Sequence, residues 1–266
     1  MTVMKKAAEK AARSLKKDFL EVENLQVSRK GPKDFVSKAD ENAEQILYEA
    51  LSKARPNYSF LMEESGAKGP DKYDFRFIID PLDGTTNFLH GLPYWAIAIG
   101  LEEQTYKGTE IVAGLVYNPV TDDMYWAEKG KGAFHNNQRM RVSGRRRLAD
   151  SMLNMNSVSN YTDLSDDHYW SMIGRISDQL AAVRAHGAGA LGLCEVANGQ
   201  TDMHWARRSE PWDVAAGIII VREAGGMITG LNGERKDSDI LLAGGSITAN
   251  PHLHSKITNI INSDPR

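Results

Sequence analysis

Cysteine is all but missing. Cys194 is the only one in 266 residues, so no intramolecular disulfide framework can hold the chain, and a reducing compartment suits it. Long apolar runs are missing too. The most apolar stretch, residues 217–221, falls far short of the roughly 20 residues that cross a bilayer. Residues 1–20 are charged throughout and lack the apolar centre of a signal peptide. The expectation is a cytoplasmic protein with no membrane partner. A surplus of one charge is the third absence. With 32 basic against 35 acidic residues, net −3, there is no electrostatic case for nucleic acid as the main partner. Hydrophobic residues at 41% and charged residues at 25% match a soluble globular protein and exclude disordered and fibrous classes. The length suits one large domain or two intimately packed ones.

What is present changes character along the chain. Val3, Ala7, Ala11, Leu15 and Phe19 recur at helical spacing among lysines and glutamates, which predicts an amphipathic helix over residues 3–26. Gly31-Pro32 closes that region. A second helix is predicted from Lys38 to Ala54, stopped by Arg55-Pro56. A short strand, Tyr58 to Met62, then delivers Glu63 and Glu64. Runs at Arg76 to Ile79, Ala96 to Glu102, Ile111 to Asn118 and Met124 to Ala127 read as strands. Turns are expected at residues 118–123 and at Asn136-Asn137. Beyond Ser143 the period lengthens: helices are predicted at Tyr169 to Leu180, Ala190 to Asn198 and Asp213 to Ala224, and short strands at Ala182 to Ala185, Met227 to Thr229 and Ile240 to Ala243. The fold class is therefore α/β, with an α+β part and a mainly antiparallel sheet over residues 1–145, and an α/β part over 146–266. No repeat or linker separates them. Two sheets sharing one buried core in one compact unit is the expectation.

The chemistry concentrates in Phe77-Ile78-Ile79-Asp80-Pro81-Leu82-Asp83-Gly84-Thr85-Thr86-Asn87-Phe88. A buried strand ends in a carboxylate, a proline stiffens the turn, and a second carboxylate follows three positions on. Asp80, Asp83 and the Leu82 carbonyl can then converge on a hard divalent cation, which wants oxygen ligands. The N–H groups at the following helix start suit a phosphate. Metal and anion sites side by side are what metal-assisted phosphate-ester hydrolysis needs. Glu63-Glu64 and the Asp213 of Glu210-Pro211-Trp212-Asp213 could complete the site. Taken singly, each has a plainer reading: a helix N-cap for Asp213, a solvated strand end for Glu63-Glu64, and an Asp/Gly/Thr-rich turn for Asp80–Asp83.

Taken together, Asp80-Pro81-Leu82-Asp83-Gly84-Thr85-Thr86-Asn87-Phe88 and Pro211-Trp212-Asp213-Val214-Ala215-Ala216-Gly217 resemble the two signature motifs of the inositol monophosphatase family. Glu63-Glu64 is similar to its upstream acidic motif, and Lys33-Asp34-Phe35-Val36-Ser37-Lys38-Ala39-Asp40 to an early segment of the family. The resemblance spans roughly residues 5 to 250. It implies a layered αβαβα fold of the inositol monophosphatase and fructose-1,6-bisphosphatase type, a homodimer, a lithium-sensitive Mg²⁺-dependent phosphomonoesterase, and a small phosphorylated substrate. It implies Mg²⁺ ligands at Glu63, Asp80, the Leu82 carbonyl, Asp83 and Asp213. One Mg²⁺ near Glu63 and Asp80, with Thr85 close by, would activate the attacking water. A second, among Asp80, Asp83 and Asp213, would stabilise the leaving alkoxide. A third, in some members, would be reached by Glu63 and the Lys33–Asp40 region. Gly84 and Thr85 N–H groups would hold the phosphate, and Ala188 and Gly189 would lie near the ring hydroxyls.

Two departures matter. Met62 stands where many members have Gly. Ala206, seven residues before Asp213, stands where the family usually has a Glu that binds polyol hydroxyls. Losing such a charge-assisted acceptor costs roughly 1.5–3 kcal/mol, so histidinol phosphate, fructose bisphosphate and 3′-phosphoadenosine 5′-phosphate become competing substrates. A catalytically weak interaction protein is the alternative from another class. Other signals carry less. Gly187-Ala188-Gly189-Ala190-Leu191-Gly192 fits a dinucleotide fingerprint but lacks the acidic residue about 20 positions on. Position 82 is Leu, so the paired aspartates of an aspartyl-phosphate mechanism are absent. Arg145-Arg146-Arg147 reads as a solvated loop, with an RNA or acidic-partner contact as the sharper option. His252 and His254 read as surface residues, and Trp95, Trp126, Trp170 and Trp205 as core or interface.

Overall fold

The computed structural model of the chain describes residues 1–21, 27–31, 34–106, 108–156 and 167–263, with the backbone alone at 27–31, 34–37 and 167–169. Its first helix, α1 (Thr2–Leu20), buries Met4, Ala7, Ala8, Ala11, Ala12 and Leu15 along one stripe. Glu9, Lys10, Arg13 and Lys16 stay exposed, as an amphipathic surface helix requires. Residues 22–26, over which the sequence pattern extends this helix, lie outside the described residues. A ribbon of β1 (Val27–Gly31) and β2 (Asp34–Ser37) follows. Helix α2 (Lys38–Ala54) has the predicted bounds, with Asp40 and Glu41 at its positive end and Lys53 at its negative end. It packs against α1.

Eight strands form the larger sheet: β3 (Ser59–Met62), β4 (Gly66–Lys68), β5 (Phe75–Asp83), β6 (Ala96–Thr105), β7 (Gly108–Asn118), β8 (Asp123–Glu128), β9 (Gly132–His135) and β10 (Gln138–Arg139), in the order β10-β9-β8-β7-β6-β5-β3-β4. All neighbours are antiparallel except β3 and β5. Both predicted turns are present. Asn136 takes φ +52° in the two-residue turn between β9 and β10, a left-handed conformation Asn tolerates well. Strand alternation sorts the side chains: Phe77 and Ile79 join the apolar cluster under α1 and α2, while Ile78 joins the opposite one.

That opposite cluster holds α5 (Gly189–Ala197) and α6 (Pro211–Glu223). Glycine brings α6 onto the sheet. A Cβ at Gly100 would stand 2.8 Å from the Ala215 Cβ, and one at Gly114 would collide with the Ala216 carbonyl. The second sheet contains β11 (Met152–Met155), β12 (Ala182–Ala185), β13 (Met203–Ala206), β14 (Met227–Gly230) and β15 (Ser246–Ala249), in the order β12-β11-β13-β15-β14. Strands β12, β11 and β13 run parallel, and β15 is antiparallel to β13 and β14. One face puts Leu153, Met155, Met203, Trp205 and Ile247 against α4 (Asp167–Ser177) and α8 (His254–Asn262). Its other face meets α5. The layers are thus helix, sheet, helix, sheet, helix, the αβαβα arrangement expected.

Two local expectations change. Residues 240–243, a strand by their apolar run, belong mostly to α7 (Asp237–Leu242). A short apolar run does not reveal its period; here Asp237 accepts the Ile111 N–H at 2.7 Å and pairs with Arg222, which anchors the helix start. His254 is buried rather than on the surface, its Nε2 facing the Ile247 carbonyl at 3.2 Å and the Thr229 hydroxyl at 3.3 Å. The described apolar interior forms three clusters, because each sheet has two faces to cover, and the one around α5 and α6 holds side chains of both sheets, Ile78 and Val116 together with Ile228. Trp95 and Trp205 are core residues, whereas Trp170 is exposed.

Candidate active site

The carboxylates stand where β5 stops being regular. Asp80 pairs with Ala98 on β6 and Asp83 with Ala96, leaving Pro81 and Leu82 in an irregular stretch of the ladder. Such a bulge re-aims side chains. Asp80 Oδ1 accepts the Leu82 N–H at 2.9 Å, and the Leu82 carbonyl accepts the Thr85 hydroxyl at 3.1 Å. Gly84 turns the chain at φ +92° into α3 (Thr85–Leu89). A Cβ there would lie 3.1 Å from both the Ala188 Cβ and the Tyr94 carbonyl, so glycine is needed for conformation and for space.

Asp83 does something its sequence position does not announce. Its Oδ1 accepts the Gly189 N–H at 3.0 Å and its Oδ2 the Ala190 N–H at 2.8 Å. The carboxylate of one sheet therefore satisfies the open N-terminus of α5, more than a hundred residues away. Ala188 and Gly189 arrive beside Gly84 by the same contact. Asp213 enters on α6, where it is the third helical residue and not the cap. Glu210 is the N-cap; its side chain accepts the Asp213 N–H, while Asp213 Oδ2 accepts the Glu210 N–H at 2.8 Å. Glu63 follows β3, whose Met62 pairs in parallel with Ile79, and its side chain hydrogen-bonds Asp80.

These groups feel one another. Burial pushes the Asp80 carboxyl well above the ordinary range, and the charges of Glu63, Asp83 and Asp213 push it further. Burial lifts Asp83 to about 6, opposed by the N–H groups of Gly189, Ala190 and Leu191. Burial, reinforced by Asp83, lifts Asp213 to about 7. Carboxylates so arranged favour either protons or a cation. The donors are all oxygen, which suits a hard ion. Among the described residues, no three His, Cys, Asp or Glu side chains form a closed metal cage. Mg²⁺ does not need one, since it keeps several waters and takes one or two carboxylates together with substrate phosphate. The donor set fits it.

Thus Glu63, Asp80, Leu82, Asp83, Gly84, Thr85, Ala188, Gly189 and Asp213 lie on neighbouring turns. Lys33 lies outside the described residues. Asp40 is buried at the start of α2, and Glu44 in the same helix accepts the Glu64 N–H at 2.8 Å. The basic run is tied into the fold. Arg145 pairs with buried Asp202 at 3.1 Å, Arg147 with Asp150 at 3.5 Å, and the Arg146 carbonyl accepts Lys256 Nζ.

Sequence reading missed a second group of polar residues around α5. Glu195 accepts the Tyr94 hydroxyl and Asn154 Nδ2, each at 2.8 Å, and lies 3.2 Å from His186 Nδ1. Asn87 Nδ2 donates to the Tyr94 and His186 carbonyls, each at 2.8 Å. His204 on β13 is buried; desolvation lowers its pKa to about 4, so it is neutral at pH 7. Its Nε2 faces Asn156 Oδ1 at 3.1 Å. The signal was available: Asn154 in β11 and Asn156 just after it flank Met155, in a segment whose other side chains, Leu153 and Met155, are apolar.

Comparison with known proteins agrees with this picture. The sequence profile described as the Inositol monophosphatase family matches residues 1–265. An inositol-1-monophosphatase of Mesorhizobium japonicum is 45% identical over 252 residues, covering 93% of this chain and 92% of its own. A putative Nus factor SuhB of Neisseria meningitidis serogroup B is 38% identical over 97% of this chain and 96% of its own. Among solved structures, the extragenic suppressor protein suhB of Bartonella henselae superposes with a TM-score of 0.91 at 45% identity, covering 100% of this chain and 99% of that one.

Proposed function

The chain belongs to the inositol monophosphatase family, and we propose that this phosphatase hydrolyses a small phosphate monoester by direct attack of water, with Mg²⁺ held by Glu63, Asp80, the Leu82 carbonyl, Asp83 and Asp213. The observation that carries the reading is that burial raises all three aspartates, with the charges of Glu63, Asp83 and Asp213 adding to it at Asp80 and that of Asp83 adding to it at Asp213, which a divalent cation would relieve. Bound there, Mg²⁺ supplies Lewis acidity for the attacking water and neutralises charge developing on the ester. The protein's own groups do the rest. Asp83 is locked by two N–H donors of α5 and Asp213 by the capping box, so their oxygens point with little freedom. Thr85 Oγ, bonded to the Leu82 carbonyl, positions and polarises a water beside Asp80 and Glu63. The N–H groups of Gly84 and Thr85 are oriented by the tight turn toward a phosphate oxygen. Ala188 and Gly189 border the space for the alcohol half of the substrate. The substrate classes are inositol monophosphate, histidinol phosphate, fructose bisphosphate and 3′-phosphoadenosine 5′-phosphate. A homodimer in the cytoplasm is part of the same reading.

Phosphate release from those four esters with Mg²⁺, each with and without Li⁺, tests it. Lithium-sensitive release from one of them is expected; silence across the panel, with no Mg²⁺ binding by calorimetry, would replace the hydrolase by an interaction protein. The relative named as a putative Nus factor keeps that second reading in view. Against it stands the full set of mutually repelling carboxylates, which a non-catalytic protein has no need to keep.

A further inference from the structure

Among the acidic residues assigned to the site, Glu63 has the least secure backbone. Asp80 and Asp83 lie on an inner strand of the larger sheet, and Asp213 on a helix. Glu63 instead follows the end of β3, in a three-residue turn, 63–65, that leads into β4. Gly66 closes the turn at φ +71°, the left-handed position such hairpin loops require. Strand β4 is only three residues long and forms the edge of the sheet. Short edge hairpins open easily. Yet the Glu63 side chain meets Asp80, so the turn needs a hold from outside the hairpin.

That hold comes from two directions. The Glu63 N–H donates to the Ile79 carbonyl at 3.2 Å, next to Asp80. The Glu64 N–H donates to Glu44 Oε2 at 2.8 Å, from α2. Glu44 is only 4% exposed. It lies on the buried stripe of α2 with Ala39, Asp40, Ala43, Leu47 and Leu51, whose apolar members join Met62, Phe77 and Ile79 in one cluster. Packing alone would be served by another apolar residue there, since a carboxylate is costly to bury without a partner. What Glu44 adds is a charge-assisted acceptor for one backbone N–H. Because α2 also lies against β5, Glu44 references the turn that bears Glu63 to the strand that bears Asp80.

We infer that Glu44 is a positioning residue: it holds the 63–65 turn so that Glu63 faces Asp80, and so sets how tightly the acidic site binds Mg²⁺. The inference rests on the proposed hydrolase reading and deepens it. Two variants test it. Glu44→Met keeps the length of the side chain and removes the acceptor, whereas Glu44→Gln keeps an acceptor oxygen and removes the charge. Calorimetric titration of the metal-free protein with Mg²⁺ should show a Kd raised about tenfold or more in the Met variant, the scale on which partners of metal ligands act. The Gln variant should stay within about threefold of wild type. Phosphate release by the Met variant should need a correspondingly higher Mg²⁺ concentration, with kcat at saturating Mg²⁺ within about threefold. Hydrogen exchange at the Glu64 amide should quicken about tenfold in that variant alone. Its metal-free thermal midpoint should stay within about 3 °C of wild type, a combination that a packing residue would not give. A Gln variant as weak in Mg²⁺ binding as the Met one would overturn the inference by making charge the cause. A Met variant that melts about 10 °C lower would overturn it by making Glu44 a packing residue. Wild-type protein that neither binds Mg²⁺ nor releases phosphate would sink the hydrolase reading and this one with it. Mg²⁺ binding by the Met variant within about twofold of a wild type that does bind would sink the role of Glu44 alone.

Discussion

The two sheets meet the central helices by different means. The larger one meets α6 through backbone: Gly100 and Gly114 let Ala215 and Ala216 approach to within contact of the strands, and the cluster around them is apolar. The smaller one meets α5 through polar side chains. Asn154 reaches Glu195, and His204 lies against Gly192, whose absent Cβ would stand 2.5 Å from the ring. Close-packed apolar layers tolerate little change in volume. Polar layers depend on satisfied donors and acceptors, and so specify orientation. The first interface packs the carboxylate-bearing strand against α6, and the second fixes the polar side chains around α5 by hydrogen bonds. Asp83 joins the two, since it ends β5 and caps α5.

The largest effects should come from that junction. Asp213→Asn and Asp83→Asn are each expected to lower phosphate release by about two to three orders of magnitude, the scale of losing one preorganised electrostatic group. They should differ in stability. Asn at 83 can accept only one of the two buried α5 N–H bonds, so about 1–3 kcal/mol is lost by urea unfolding, whereas Asp213 accepts one N–H at a half-buried helix start. Equal stabilities would break the claim that Asp83 is also a cap. Next is Gly114→Val, which forces a side chain into α6. It should cost about 1–3 kcal/mol or more, read as a thermal midpoint lowered by about 2–4 °C per kcal/mol, with activity per folded molecule unchanged. A midpoint within a degree of wild type would refute the backbone contact.

A third test concerns pH. Asp83 and Asp213 keep their protons in the metal-free fold up to about 6 and about 7, whereas the unfolded chain gives them up near 4. The native state then binds more protons over that interval, so stability falls as pH rises from about 4 to 7. The metal-free midpoint should decline across this window. Mg²⁺ should oppose the decline, its stabilisation growing with pH as it replaces protons. A metal-free midpoint that climbs between pH 5 and 7 would show that the carboxylates are not held apart from solvent as described. The smallest effect is on the polar side. His204→Phe removes one hydrogen bond to Asn156 and also the buried, unpartnered Nδ1, so calorimetry should find a net change below about 1.5 kcal/mol. A loss several times larger would mean that this interface is as volume-limited as the other.

The residues that sequence reading located well are those whose neighbours in space are neighbours in the chain. Helix α2 has its predicted bounds because Arg55-Pro56 stops it and its acids and lysine sit at the fitting ends. The Asp80–Thr85 turn was legible because proline, glycine and the two carboxylates shape it locally. Asp213 was legible as a helix-start residue, though the cap proved to be Glu210. Residues 240–243 misled because four apolar positions fit either period. His254 misled because nothing near it in sequence reveals Thr229 and the Ile247 carbonyl beside it. Asn156 and His204 escaped notice because a polar residue in a short strand acquires meaning only from what packs on that face.

By itself, then, the sequence determined helices α1, α2, α5 and α6, the strands β3 and β5 to β8 of the larger sheet, the acidic turn and, through the motifs at 80–88 and 211–217, the family. Each of these follows from short-range order: side-chain period, turn stereochemistry and runs of adjacent residues. Tertiary structure alone decided that Asp83 caps a helix 106 residues away, that Gly84 must be glycine because Ala188 and Tyr94 press on it, and that His204 Nε2 meets Asn156 Oδ1 at 3.1 Å. Such contacts depend on how layers stack, and stacking is settled by the burial of whole faces rather than by any local pattern.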